Sequence, residues 1–241
     1  MTELPPAMDI MPVKGEIFYE SSFADQHAVK EWVMEGAGLL EFRDGWMHMH
    51  AHNWRWYHWF SNPGHHVFWC PAEIPDRFIA EWEAQNLEPD AGLCIVFFSA
   101  KGIHGEDIFD ASLSKRNGDF KQYTKGEINC YHISYYANNP LSEPGRGSTN
   151  LRKNRGFHLV QTGLEGIPTA SGAIHKMRLI KDGSRIVMFV DDRRIIDWTD
   201  DGEQYGRALA GGRIGLRQMR WSHFRYRDFK IWEIGEEQII K

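Results

Sequence analysis

Short runs of alternating or wholly apolar character, rich in β-branched and aromatic residues, recur along the chain between turn residues. This period-two pattern predicts strands rather than helices. The runs fall at 15–20, 38–43, 45–51, 65–70, 77–84, 92–99, 128–137, 157–162, 174–181, 184–191, 193–198, 212–219 and 223–234. Between them sit Arg43-Asp44-Gly45, Asn62-Pro63-Gly64, Lys181-Asp182-Gly183 and Asp201-Gly202, residues that turn a chain. The stretch 174–198 reads as a three-stranded meander turned at Asp182-Gly183 and Asp191-Asp192. Helical patterning is confined to 24–34 and to a turn or two at 106–114. The longest irregular piece is 137–149, long enough to be functional or mobile. No composition shift, linker or repeat divides the chain. The pattern therefore predicts one all-β domain over residues 1–241, an antiparallel two-sheet sandwich or jelly roll, with 1–14 as an irregular N-terminal arm.

Charge and composition narrow the partners. The 241 residues carry 28 basic and 33 acidic side chains, a formal net charge of -5, which disfavours a surface built to neutralise phosphates; no nucleic acid is expected. No run approaches the roughly 20 apolar residues that span a bilayer, so no membrane is expected either. The N-terminus lacks the basic start and apolar run of a secretory signal. Cys70, Cys94 and Cys130 lie in apolar segments without paired spacing, which predicts buried thiols in a reducing compartment and a cytoplasmic protein.

Rings change the picture more than charge does. Residues 46–69 hold six of the 12 histidines and five of the 10 tryptophans. His48, His50 and His52 alternate, so a strand places them on one face, where two imidazoles can share a metal if a third ligand joins. No acid sits beside this row, and no metal or cofactor is assigned; an exposed or ring-stacked imidazole row is the plainer account. The run Asn53-Trp54-Arg55-Trp56-Tyr57-His58-Trp59 combines flat aromatics with polar groups, as sugar sites do, although aromatic packing over a core edge gives the same pattern.

Three further constellations carry chemistry. Glu81-Trp82-Glu83 places two carboxylates on one strand face at the separation glycosidases use, though exposed strands often show such pairs by chance. Tyr131-His132-Ile133-Ser134-Tyr135-Tyr136 is followed by Arg152-Lys153-Asn154, the residue kit of a metal-free polysaccharide lyase: cation and amide for a uronate carboxylate, imidazole or phenol for the proton. Alternation sets His132, Ser134 and Tyr136 on one face and Tyr131, Ile133 and Tyr135 on the other. The acidic loop Gly105-Glu106-Asp107-Ile108-Phe109-Asp110 caps a turn, binds a cation or touches sugar hydroxyls through Asp107. Phosphate loops, G-x-S-x-G, HExxH and CxxC are absent, which removes nucleotide, α/β-hydrolase and zincin chemistry.

These segments resemble the YesU-like family of bacterial proteins. The likeness is carried by Trp69-Cys70-Pro71, Gly92-Leu93-Cys94-Ile95-Val96-Phe97-Phe98-Ser99-Ala100, the 105–110 loop, Ile128-Asn129 with 131–136, and Leu151-Arg152-Lys153-Asn154 with Gly156-Phe157-His158-Leu159-Val160. Asp200-Asp201-Gly202 and 212–219 extend it to the C-terminal region. The resemblance implies the concanavalin A-like lectin/glucanase jelly roll, with a concave sheet forming a cleft. Members sit among genes for plant or algal polysaccharide use, which implies a glycan partner. Glu81-Trp82-Glu83 departs from the E-x-D-x-E motif of the fold's laminarinase-like hydrolases, since Gln85 or Asn86 stands at the third acid.

The expectation is therefore a carbohydrate-active protein taking an oligosaccharide, uronate-containing in the lyase version, in a concave cleft for polysaccharide degradation. Trp69 and one of Trp54, Trp56 or Trp59 stack on sugar faces, with His66 beside them. Arg152, Lys153 and Asn154 hold a carboxylate or hydroxyls. His132 or Tyr131 carries the proton, and Glu81 is the hydrolytic alternative. Arg217 and Gln218 alternate, so only one of them lines the cleft. Binding without chemistry is the second reading; assembly through the Trp-rich loop, with itself as a homo-oligomer or with another protein, is the third.

Overall fold

The computed structural model describes residues 11–51, 64–139 and 144–235. Its strands are β1 (Val13–Ser21), β2 (Val33–Gly36), β3 (Gly38–Arg43), β4 (Trp46–Ala51), β5 (His66–Trp69), β6 (Arg77–Asn86), β7 (Gly92–Gly102) and β8 (Ile128–Asn138). β9 (Thr149–Asn154), β10 (His158–Gly163), β11 (Ile174–Asp182), β12 (Arg185–Val190), β13 (Arg193–Thr199), β14 (Arg213–Gln218) and β15 (His223–Gly235) follow. One short helix, α1 (Phe120–Thr124), precedes β8.

The strands form two antiparallel layers. An eight-stranded sheet runs β13-β12-β11-β6-β15-β4-β3, with β1 also on β15; a seven-stranded sheet runs β10-β9-β8-β7-β14-β5-β2. Alternation explains the core between them. Phe78, Ala80, Trp82 and Ala84 of β6 face inward against Val96, Phe98, Tyr131, Ile133 and Leu216 of the other layer. Each such large apolar side chain contributes roughly 1.5–3 kcal/mol on burial. The all-β sandwich expected from the pattern is the fold observed. All three cysteines are free and buried.

Several local expectations need correcting. Residues 24–34 do not form a helix: a single 3-10 turn at His27–Val29 leads into β2. Tertiary packing overrides helical propensity there, because Trp32 inserts its ring 4.9 Å from both Phe23 and Phe68. The 106–114 stretch is irregular too, since Asp107 and Asp110 accept the N–H groups of Phe109 and Ser112 in Asx turns. The 149–154 segment is strand β9, paired to β8 and β10, and the first strand begins at Val13, inside the expected arm.

A bulge changes the face assignments on β8. Tyr136 pairs with Cys94 and Ser134 with Ile95, leaving Tyr135 as the extra residue. Tyr135 and Tyr136 consequently both enter the inter-sheet core, so Tyr136 does not share the outer face with His132 and Ser134.

Two further features frame the site. The 103–127 crossover between β7 and β8 folds over the outer face of the seven-stranded sheet. There Ile108, Tyr123, Phe120 and Leu113 cover Val67, Trp69, Ile95 and Phe97 in a second apolar cluster. Along one flank the sheets are tied together: Leu164 N–H donates to the Ile195 carbonyl (3.1 Å), the Gln161 amide to the Asp197 carbonyl (2.9 Å), and Asp197 N–H to Gln161 Oε1 (3.1 Å).

Candidate functional site

The outer face of the seven-stranded sheet offers no open cleft over β5, β14 and β7, because the 103–127 cover packs on it. Glu35 fastens that cover. Its carboxylate accepts from the Trp69 indole (2.9 Å), the Tyr123 hydroxyl (2.8 Å) and Arg116 Nε and Nη2 (3.1 and 2.7 Å). Gly118, at φ +90°, passes so near β5 that a Cβ there would sit 2.1 Å from the His65 carbonyl oxygen, so only glycine fits. Asp119 then caps α1, accepting the Lys121 N–H at 2.9 Å. Trp69 is wholly buried under this cover, not presented to a ligand.

The residues grouped by spacing divide between faces. His132, Arg152 and Asn154 lie on the outer face: the Asn154 amide meets His132 Nδ1 at 2.8 Å, and the imidazole packs on Phe97, Phe120 and Phe157. Arg152 stacks 3.9 Å above the Phe157 ring. Tyr131 and Lys153 point the other way, between the layers. Lys153 pairs with Asp200 at 2.6 Å, and the Tyr131 hydroxyl donates to the same carboxylate. Tyr131 and His132 therefore cannot serve one cleft. Burial, then Arg152, Arg217 and Arg146, pushes His132 down to about 3, leaving a neutral and weakly basic ring.

Glu81 is placed elsewhere altogether. It lies on the outer face of the eight-stranded sheet, ringed by Lys14 (2.8 Å), Lys176 (3.2 Å) and Arg178 (2.6 Å). Partial burial works against its ionised form, but these cations hold its carboxyl below the usual range, the opposite of what a general acid needs. Glu83 pairs with Arg227 at 2.6 Å. Asp107 is bound to Arg213 through Nε (2.9 Å) and Nη2 (2.5 Å). His66 and Gln218 turn inward, to the Gly64 carbonyl and the Tyr226 hydroxyl. Trp56 and the remainder of the Trp-rich run, with His52, lie outside the described residues. His48 Nδ1 and His223 Nε2 approach to 3.2 Å, and among the described residues no three His, Cys, Asp or Glu side chains converge as a metal site.

Arg217 faces outward from β14, as alternation requires if Gln218 turns in. It is fully buried against Phe120 and Tyr123, with Nη1 donating to the Gly118 carbonyl at 3.1 Å. Its Nε and Nη2 have no acceptor among the described residues. Burial lowers the guanidinium to about 10, still charged at neutral pH.

Beside it, at one end of the sandwich, lies a hollow of about 70 Å3 lined by His65, Gly92, Leu93, Asn139, Met219, Arg220 and Trp221. The β14–β15 turn builds its wall. Ser222 N–H closes the turn on the Met219 carbonyl (3.2 Å), and Met219 N–H donates to the Leu93 carbonyl (3.0 Å). Trp221 sits at φ +70°, uncommon for an aromatic residue, and the Arg220 guanidinium stacks 4.1 Å from its ring centre. Arg220 N–H donates to His65 Nδ1 at 3.3 Å. Burial, then Arg217 and Arg220, pushes His65 down to about 4. Arg220, Asn139 and Trp221 thus line one depression, with no carboxylate among the described lining residues. Spacing along the chain does not single out Asn139, Arg220 and Trp221; an indole and a guanidinium adjacent in a tight turn are the available signal.

Residues 16–231 match the family described as "Domain of unknown function (DUF1961)". The chain is 39% identical over 220 residues to the uncharacterized protein YesU of Bacillus subtilis (strain 168), covering 90% of this chain and 96% of that one. A crystal structure of a Bacillus subtilis protein of unknown function with a galectin-like fold superposes with a TM-score of 0.85 at 36% identity, over 94% of this chain and all of that one. The carbohydrate recognition domain of Emp46p, potassium-bound, shares the fold at a TM-score of 0.60 and 14% identity, over 90% and 98% of the two chains.

Proposed function

Since the chain belongs to the DUF1961 family and its sandwich superposes on a galectin-like fold, we propose that it is a carbohydrate-binding protein that takes the acidic end of an oligosaccharide in the hollow at the β14–β15 turn. The observation that carries this reading is that Trp221, Arg220 and Asn139 line one depression, with the Arg220 guanidinium stacked on the Trp221 ring and no acid among the described lining residues. A sugar offers an apolar face to the indole and hydroxyls to the amide, and a uronate carboxylate complements the arginine. The carbohydrate recognition domain sharing the fold adds an analogy, since fold alone does not fix function.

At about 70 Å3 the hollow is well below the ~300 Å3 of enclosed small-molecule pockets, so it suits one terminal unit held weakly. Binding is preferred to lyase or hydrolase chemistry because the candidate proton carriers are apart or neutralised: His132 is held unprotonated, Tyr131 is on the opposite face, and Glu81 is saturated with cations. Titration calorimetry with tri-galacturonate, and with neutral cello- and galacto-oligosaccharides, tests the assignment. The expected result is a micromolar-to-millimolar Kd for the acidic sugar, weakened at least ~10-fold by Trp221→Ala and by Arg220→Ala, with melting temperatures near wild type. Equal affinity in both variants, or no heat with any of the sugars, overturns it.

A further inference from the structure

On the far side of β11 from its hairpin with β12, the loop that enters that strand brings three chemically complementary side chains into line. Ser171 Oγ lies 2.7 Å from His175 Nε2, and His175 Nδ1 lies 2.9 Å from Asp191 Oδ2. The order of contacts is serine to Nε2 and carboxylate to Nδ1, the order that lets one imidazole take a proton while the other nitrogen is held. With Nδ1–H donated to the carboxylate, Nε2 presents its lone pair to the serine hydroxyl.

The carboxylate is fixed independently of the histidine. Asp191 Oδ1 accepts the Lys176 N–H at 2.9 Å, and the Asp191 N–H donates to the Lys176 carbonyl at 2.7 Å, in the turn after β12. His175 is buried to 8% exposure, on a strand paired in register with β6. The base thus stands on the sheet, its orienting acid in the exposed turn after β12, and the nucleophile on an accessible loop. Ser171 is half-buried, and Gly172 and Ala173 are exposed. The loop is pinned at Ser171, whose N–H donates to the Pro168 carbonyl (2.9 Å), and at Gly172, whose carbonyl accepts the Gln85 amide (2.6 Å). Gly172 has open space where a Cβ would stand, so a planar group can approach its N–H, which has no acceptor among the described residues. A donor one residue after the nucleophile is where acyl-transfer enzymes place part of an oxyanion hole.

We propose that Ser171, His175 and Asp191 form an acyl-transfer centre that hydrolyses carboxylic esters with short acyl chains. Ser171 Oγ attacks the ester carbonyl carbon as His175 Nε2 takes the hydroxyl proton. The negative oxygen is met by the Gly172 N–H. Collapse breaks the bond to the alcohol oxygen, which leaves with the proton from His175, and the acyl group stays on Ser171. Water then attacks the acyl-serine, giving its proton to His175 and releasing the carboxylic acid, after which the proton returns to Ser171. Asp191 remains ionised throughout, and no co-reactant besides water is consumed. The exposed loop favours acetyl-sized groups over long chains, because an acyl tail extended into solvent gains little burial.

Because the same hydrogen bonds also tie the loop to the β12–β13 turn, the test reads reactivity and not stability. The full chain is treated with a fluorophosphonate and mapped by peptide mass, and its hydrolysis of 4-nitrophenyl acetate is followed at pH 7.5. One phosphonyl group on Ser171 is expected, absent in Ser171→Ala and slowed at least 100-fold in His175→Gln, with ester turnover falling 10²–10⁴-fold in both. An unlabelled wild-type protein, label on another residue, or turnover equal to that of Ser171→Ala overturns the proposal whatever the variants' stability. Glycan titration of Ser171→Ala separates this centre from the hollow, since sugar binding should be unchanged.

Discussion

Replacing Glu35 by Ala probes the fastening of the 103–127 cover. Glu35 and Arg116 form an ion pair with side chains only 9% and 7% exposed, and the same carboxylate serves the Trp69 indole and the Tyr123 hydroxyl. Burial, then the charge of Glu35, pushes the Tyr123 hydroxyl up, so it remains a donor at any working pH. Removing one partner of a buried pair costs about 3–5 kcal/mol, since the orphaned charge stays behind. The two neutral donors add to this less than their separate values, because all act through one carboxylate. A loss of about 4 kcal/mol corresponds to a fall in melting temperature of roughly 8–16 °C for a chain of this size. Urea unfolding followed by tryptophan fluorescence measures the loss. Amide exchange should rise first within 103–127, where the cover detaches before the sandwich opens. The double variant Glu35→Leu/Arg116→Leu should recover more than half of the stability, because apolar replacement leaves no uncompensated charge. A loss below about 1 kcal/mol for Glu35→Ala, or exchange unchanged in 103–127, would refute the reasoning.

Acid should destabilise the fold early. Burial pushes His66 down to about 4 and His132 to about 3, so the unfolded chain takes up protons that the folded one refuses. Stability is therefore full above about pH 6.5 and declines as pH falls towards 4, at up to about 1.4 kcal/mol per group per pH unit. Urea midpoints at pH 7, 6 and 5 check this, and a flat profile contradicts it. The thiols should be inert: burial pushes Cys70 and Cys130 up to about 12 and Cys94 higher still. Ellman's reagent at pH 8 is expected to find no reactive thiol in the native protein and three in urea, whereas rapid native reaction would show an exposed cysteine.

Strand pattern made the layers legible because alternation reports which side of a sheet is dry. The meander of β11, β12 and β13 was readable down to its turns at Asp182-Gly183 and Asp191-Asp192. What alternation cannot report is a bulge, and the one at Tyr135 set Tyr136 inside. Nor can it report long-range cover. Trp69 resembles a sugar platform in sequence, yet the crossover from β7 to β8, held by Glu35 some 34 residues earlier in the chain, seals it. The 24–34 stretch misled for a related reason, since the docking of Trp32 against Phe23 and Phe68 is invisible to a local window. Both Glu81 and Lys153 were read from neighbours along the chain, but their charge partners come from distant strands or loops. The hollow and the Ser171–His175–Asp191 line likewise exist only once separate elements converge.

The stitched flank between β10 and β13 bears on how copies of the chain can meet. An unpaired strand border is a template on which another molecule can extend a sheet. Here the Leu164 amide, the Ile195 and Asp197 carbonyls and the Asp197 amide are already engaged across the two layers. Polymerisation by backbone zippering must therefore begin on the remaining borders, β1, β2 and β3, of which β1 carries exposed Val13, Ile17 and Phe18.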